Sequence, residues 1–124
     1  MKTPILIYVA GPFRALTRWD EEQNIRSAES AGYEIAKLGA YPVIPHSNTR
    51  GYFQDAQPGE FFLDGTLELM KRCDAVLLLP RWIESTGARA EKDEAERLGI
   101  PVFGACCSDC LPGLAAWITE MRKV

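Results

Sequence analysis

The chain has 124 residues, the size of one domain, and its 47% hydrophobic content is enough for one core. With 14 basic against 17 acidic side chains and a net charge of −3, it lacks the basic surface that a nucleic-acid polymer requires. No apolar run approaches the ~18 residues of a membrane-spanning helix, and the run Ile5–Ala10 is too short for a signal peptide.

Ile5-Leu-Ile-Tyr-Val-Ala10 is an unbroken apolar run rich in β-branched residues, and it stops at Gly11-Pro12. That pattern predicts a strand buried on both faces, as in a parallel sheet. Thr17-Arg-Trp-Asp20 has the spacing of a capping box, with Asp20 where Glu is usual. A helical stripe follows at Ile25, Ala28, Ala31, Ile35 and Leu38, with Gly39 as the stop. Tyr41–Ile44 reads as a second strand closed by Pro45. From Pro45 to Glu60 no period is visible, and a loop of that length in a small domain is expected to be functional or mobile. A helix is predicted over 61–72 with Leu63, Leu67 and Met70 inward. Ala75–Leu79, introduced by Asp74 and stopped by Pro80, is a third strand. A helix over 87–98 ends at Gly99, Ile100–Phe103 is a fourth strand, and a last helix over 111–123 carries Leu114, Trp117, Ile118 and Met121 on one face.

Strands alternating with helices predict an α/β fold: one doubly wound, three-layer domain over 1–124, flavodoxin/Rossmann-like, with a four- to five-stranded parallel sheet. Right-handed crossovers make strand order 2-1-3-4 the natural one. In such sheets ligands bind beyond the carboxyl ends of the strands, where the winding reverses. Here that point falls between the first and third strands, at the loops 11–14 and 80–87. The cysteines are Cys73, Cys106, Cys107 and Cys110, and the one histidine is His46. A metal site needs a second cluster or a histidine pair, so reduced thiols in a cytoplasmic protein are expected.

Several residues near the switch point have the chemistry of a site. On the helix over 87–98, Glu91 lies three residues after Ala88 and four before Ala95, which places a carboxylate on the inward stripe with Leu98. It either faces the strand ends or complements the helix dipole as a first-turn acid. Tyr8 stands late in the first strand, where its hydroxyl either reaches a carboxylate on the neighbouring helix or is satisfied within the core. Gly11-Pro12-Phe13-Arg14 is neither a Gly-x-Gly-x-x-Gly fingerprint nor a Walker loop. Gly11 is able to admit a ligand to the backbone and Arg14 to hold an anion, unless this is an ordinary turn with a solvated arginine. Ser85-Thr86-Gly87 opens a helix, so it suits an anion, an N-cap, or both. Asp64 either caps its helix or serves as an acid. His46 follows Pro45 at the ligand edge, where a surface role outweighs a catalytic one.

Together, Tyr8-Val-Ala-Gly-Pro-Phe-Arg14, Asp74-Ala-Val-Leu-Leu-Leu-Pro80 and Ser85-x-Gly87-x-x-x-Glu91 resemble the nucleoside 2-deoxyribosyltransferase-like superfamily. Leu79-Pro-Arg-Trp-Ile-Glu-Ser-Thr-Gly-Ala88 is similar to a pattern of its small bacterial and phage branch, related to the deoxynucleoside 5′-monophosphate N-glycosidases. The resemblance implies that Glu91 is the nucleophile toward the anomeric carbon, that Tyr8 orients it, and that a glycosyl-enzyme passes the sugar to water or to another base. It implies that Gly11, Arg14, Ser85 and Gly87, with Pro12 and Phe13 in the same loop and His46 at the edge, hold the sugar or a 5′-phosphate. Ser85 favours a phosphorylated ligand. The family's acid for the leaving base falls eight residues before Asp74, at Thr66, so either the role passes to the nearest acid, Asp64, or the acid is absent. A small-molecule nucleoside or nucleotide ligand, no metal or cofactor, and a homo-oligomer (dimer or tetramer) are implied. Trp82, Tyr52 and Phe53 are then candidates for the pocket wall or the interface. The competing expectation is a non-catalytic nucleotide-binding or sensing module on the same fold. A phosphoribohydrolase is disfavoured by the lack of a Pro-Gly-Gly-x-Gly-Thr loop.

Overall fold

The computed structural model describes residues 3–50, 55–104 and 110–123. Four parallel strands form its sheet: β1 (Leu6–Ala10), β2 (Tyr41–Val43), β3 (Ala75–Leu78) and β4 (Val102–Phe103). Their order is β2-β1-β3-β4, as the alternating pattern predicts. Ile7 pairs with Pro42 on one side and with Ala75 on the other, and Val76 pairs with Val102. Pro42 is tolerated because β2 is an edge strand, where a missing N–H need not break a ladder.

The helices are α1 (Arg18–Lys37), α2 (Pro45–Asn48), α3 (Gly59–Lys71), α4 (Thr86–Leu98) and α5 (Cys110–Arg122), with a 3-10 turn at Trp82–Glu84. Thr17 caps α1: its hydroxyl oxygen accepts from the Asp20 amide at 3.1 Å, and the hydroxyl donates to the Asp20 carboxylate at 3.0 Å. At the other end of α1, Gly39 has φ +92°, a left-handed conformation that a side chain disfavours. The expected helix over 61–72 begins two residues earlier, and Pro45 starts α2 where only a strand end was expected. Proline at the first helical position loses no hydrogen bond, because that N–H has no partner within the helix.

Alternation along β1 divides the core. Ile7 and Val9 pack with Ala28 and Ile35 of α1 and with Leu114 and Ile118 of α5. Tyr8 and Ala10 turn to the other face, against Met70 of α3 and Ala95 of α4. The result is three layers, with α1 and α5 on one face and α3 and α4 on the other. Two residues of the predicted stripes stay outside the core: Leu98 is 42% exposed and Met121 is 43% exposed. Both lie in the last turn of their helices, where the sheet no longer covers them.

Candidate active site

The carboxyl ends of β1 and β3 open into a cavity of about 750 Å³. One wall is the loop Gly11–Arg14 with the first turns of α1, and another is the first half of α3, including Phe62, Leu63 and Thr66. Arg81, Glu84 and the N-terminal turns of α4 from Ser85 to Glu91 close the third side, and His46 lies at the base of the first.

Glu91 is buried, at 6% exposure, on the stripe of α4 that also buries Ala88 and Ala95. The Tyr8 hydroxyl, itself fully buried, donates to Glu91 Oε2. Thr66 of α3 lines the same cavity, its hydroxyl donating to the Leu63 carbonyl at 3.0 Å. Burial pushes the Glu91 carboxyl up to about 7, against the opposing pull of the Tyr8 hydroxyl and, less, of the Thr66 hydroxyl. Burial also raises the Tyr8 phenol far above its usual range, and the neighbouring Glu91 charge adds to this. Tyr8 therefore remains a donor at every working pH, while Glu91 exchanges its proton near neutrality.

The N-terminus of α4 is built for a negatively charged or strongly polar group. Ser85 is the N-cap, and its Oγ accepts from the Ala88 amide at 3.1 Å. The Thr86 and Gly87 amides precede the first intrahelical bonds and line the same cavity. Arg81 has φ 68°, unusual for a residue with a side chain, and its guanidinium pairs with Glu84 at 3.3 Å. This strained residue stands on the cavity rim, where departures from relaxed backbone tend to cluster.

The loop wall is held from behind. The proton on His46 Nε2 is shared between the carbonyls of Gly11 and Pro12, at 3.2 and 3.0 Å. Because both acceptors are carbonyls, Nε2 carries the hydrogen and Nδ1 is bare; Nδ1 is buried without a partner. Burial lowers the His46 pKa, which keeps the ring neutral. The surface role expected for His46 is thereby overturned: the residue is only 4% exposed. Its helix is tied to α1 by Arg50, which reaches Glu22 at 2.6 and 2.8 Å, and by Ser47, which donates to Glu29 at 2.8 Å. Asn24 donates to the Phe13 carbonyl at 3.0 Å and fixes the far end of the loop. Gly11 serves packing: a Cβ there would lie 2.7 Å from Leu79, so β1 and β3 approach each other closely where the cavity begins.

Of the residues singled out from sequence, Gly11, Pro12, Phe13, Arg14, His46, Ser85, Gly87 and Glu91 line the cavity, with Tyr8 beneath Glu91. Asp64 does not join them. It is exposed on α3, outside the cavity wall, and Thr66 stands beside Glu91 instead. Two residues along a helix turn the side chain by about 200°, so Asp64 and Thr66 face opposite sides and no slack brings the acid round. Trp82 is half-buried beneath the Lys92 ammonium, 5.5 Å from its ring. Tyr52, Phe53, Cys106 and Cys107 lie outside the described residues, as does the Cys110 side chain. Arg81 and Asn24 are among the cavity residues that sequence reasoning passed over, whereas Thr66 was marked as the place of the family's acid. Asn24 had a local signal, as a polar residue bordering the α1 stripe. Among the described residues no group of three His, Cys, Asp or Glu is arranged to hold a metal ion, and no helix is long and apolar enough to cross a membrane.

The doubly wound sheet is a fold shared with 2-deoxyribosyltransferases of known structure. A 2-deoxyribosyltransferase from Bacillus psychrosaccharolyticus matches with a TM-score of 0.60 at 23% identity, over 78% of this chain and 69% of its own. A 2-deoxyribosyltransferase from Leishmania mexicana matches with a TM-score of 0.55 at 19% identity, over 82% of this chain and 63% of its own. At these identities the likeness is one of fold. The chain belongs to the family described as a domain of unknown function, DUF7768, whose profile matches residues 5–104. No curated protein matches the chain significantly.

Proposed function

We propose that the cavity cleaves the N-glycosidic bond of a nucleoside or nucleoside 5′-monophosphate, with Glu91 as the nucleophile. The observation that carries this reading is the buried Glu91–Tyr8 pair, which opens onto a cavity whose other side is a helix N-terminus. In its ionised form Glu91 attacks the anomeric carbon through Oε1, while Tyr8 occupies Oε2. The bond from that carbon to the base breaks, and the base leaves with the electron pair and takes up a proton from water that enters the cavity. Water, or a second base, then displaces Glu91 from the resulting glycosyl ester and regenerates the carboxylate. The carboxylate also stabilises the positive charge that develops on the sugar, an interaction strengthened by burial.

Ser85 and the Thr86 and Gly87 amides would hold a 5′-phosphate, with Arg14 and Arg81 at the rim. The fold likeness to two 2-deoxyribosyltransferases supports this class of chemistry. The reading extends to a homo-oligomer of single-domain subunits, supported by the exposed apolar side chains Trp19, Tyr33, Phe61 and Ile83. A second reading, a nucleotide-binding or sensing module, is favoured by the position of Asp64. The remaining acids on the wall are already engaged, Asp20 by the Thr17 hydroxyl and Glu84 by Arg81.

The two readings separate on incubation with a panel of nucleosides and nucleoside 5′-monophosphates, with free base measured by chromatography. Release that disappears in Glu91→Ala supports the enzyme. Binding of a nucleotide without release of any base supports the sensor, and release that survives in Glu91→Ala sinks the nucleophile assignment.

A further inference from the structure

A neutral base leaves a sugar readily only if it is protonated as it goes, so the protons held on the cavity wall decide which bases can depart. Among the described residues that wall carries three carboxyl groups, Asp20, Glu84 and Glu91, two guanidinium groups, Arg14 and Arg81, and the His46 imidazole. Each acid already has a task. Asp20 accepts from the Thr17 hydroxyl at 3.0 Å, and Glu84 is paired with Arg81 at 3.3 Å. Glu91 is the nucleophile, and Tyr8 beneath it gives its proton to Oε2. The His46 Nε2 proton is shared between the carbonyls of Gly11 and Pro12, while the bare Nδ1 is buried. Asp64 is exposed outside the wall. A guanidinium does not give up its proton in a protein, and the remaining hydroxyls and amides, Gln23 and Thr86 among them, hydrogen-bond a base without protonating it.

We propose that the cavity selects N-glycosides whose base carries a fixed positive charge on its ring: a pyridinium or N7-alkylated purine nucleoside 5′-monophosphate. This deepens the reading of Glu91 as a glycosidic nucleophile and rests on it. In such a substrate Glu91 Oε1 forms its bond to the anomeric carbon and the carbon–nitrogen bond breaks. The electron pair of that bond cancels the ring charge, so the base departs neutral with no proton transfer. Water then adds to the anomeric carbon of the glycosyl ester, the Glu91 carboxylate is released, and the surplus proton of the water passes to solvent.

Other features of the wall suit a cation. Its carboxyl groups outnumber its guanidinium groups, and the guanidinium groups are matched to the 5′-phosphate. Burial resists the charge on Glu91, and a positive ring beside the carboxylate offsets that resistance where a neutral base does not. Phe13 and Phe62 also line the cavity, and an aromatic face attracts a charged ring through its quadrupole.

The test compares 7-methylguanosine 5′-monophosphate with guanosine 5′-monophosphate on the full chain, each in ribosyl and 2′-deoxyribosyl form. The two share sugar, phosphate and ring system and differ in the ring charge. Free base is measured by chromatography, with uncatalysed release subtracted. Nicotinamide mononucleotide is the second cationic probe, and the faster of the two cationic probes tells a purine site from a pyridinium site. Its kcat/KM is expected to exceed that of the guanosine nucleotide by at least about 10²-fold, the smallest contribution typical of a positioned general acid. A wall with an acid of its own would protonate the neutral purine and close that gap, so a smaller ratio, or release from neutral nucleotides only, overturns the proposal and leaves Glu91 as the nucleophile. No release from these probes or from any nucleotide of the wider panel overturns the glycosidase reading and this proposal with it.

Discussion

The two faces of β1 are built from the same five-residue strand and do different work. On one face Ile7 and Val9 pack against apolar groups of α1, α5 and β3. On the other, Tyr8 and Ala10 meet α3 and α4, and a carboxylate is buried among them. The first face is ordinary close packing, in which any lost methylene is felt. The second accepts a charge that burial resists, and holds it with the Tyr8 hydroxyl. The contrast teaches that the second face carries a cost to stability that packing does not explain, which is the mark of a group kept for chemistry.

The largest effect that would sharpen this contrast is expected from Glu91→Gln. Base release should fall by at least about 10³-fold, the scale for loss of an activated nucleophile. Stability should move in the opposite direction. The folded chain binds the Glu91 proton more tightly than the unfolded chain, so the favourable contribution is full below about pH 4.5 and is lost as pH rises through about 7. Glutamine never ionises. The variant should therefore be more stable than the wild type by up to about 3 kcal/mol at pH 8 and nearly equal to it at pH 4, in urea unfolding at the two pH values.

Truncation on the apolar face comes next. Ile7→Ala should cost about 3 kcal/mol in the same unfolding assay, yet leave the pH midpoint of activity where it was. A shifted midpoint would break the separation of the faces. Tyr8→Phe tests the pair itself. It removes a hydrogen bond that holds the Glu91 pKa down, so the acid limb of kcat/KM should move to higher pH, with about a tenfold to hundredfold loss of rate at neutrality. The smallest effect is expected at the helix N-terminus. Ser85→Ala removes a cap worth about 1 kcal/mol, and calorimetric titration should show weaker binding of a nucleoside 5′-monophosphate with little change for the nucleoside. Equal loss for both would remove the phosphate from the Ser85 site.

Much of this arrangement was legible in the chain. The strand at Ile5–Ala10 and the inward phase of Glu91 follow from periods of two and 3.6 residues, and the N-cap at Thr17 from its spacing to Asp20, all of them properties of a single element. The winding order followed from alternation and handedness. The stretch after Pro45 was not legible, because a four-residue helix has too few turns to show a period. Nor was the burial of His46, which depends on two carbonyls more than thirty residues away in the chain.

Glu91 facing inward was thus decided by the sequence, through the spacing Ala88, Glu91, Ala95. What it faces was decided by the tertiary structure. Tyr8 meets it because α4 packs on the face of the sheet to which Tyr8 points, and Thr66 rather than Asp64 shares the cavity with it because of the angle at which α3 presents its side chains. Local periodicity sets the direction of a side chain relative to its own helix or strand, whereas packing between elements far apart in the chain sets which groups share a site. A carboxyl's pKa depends on the second, which is why the chemistry of Glu91 became readable only in the folded molecule.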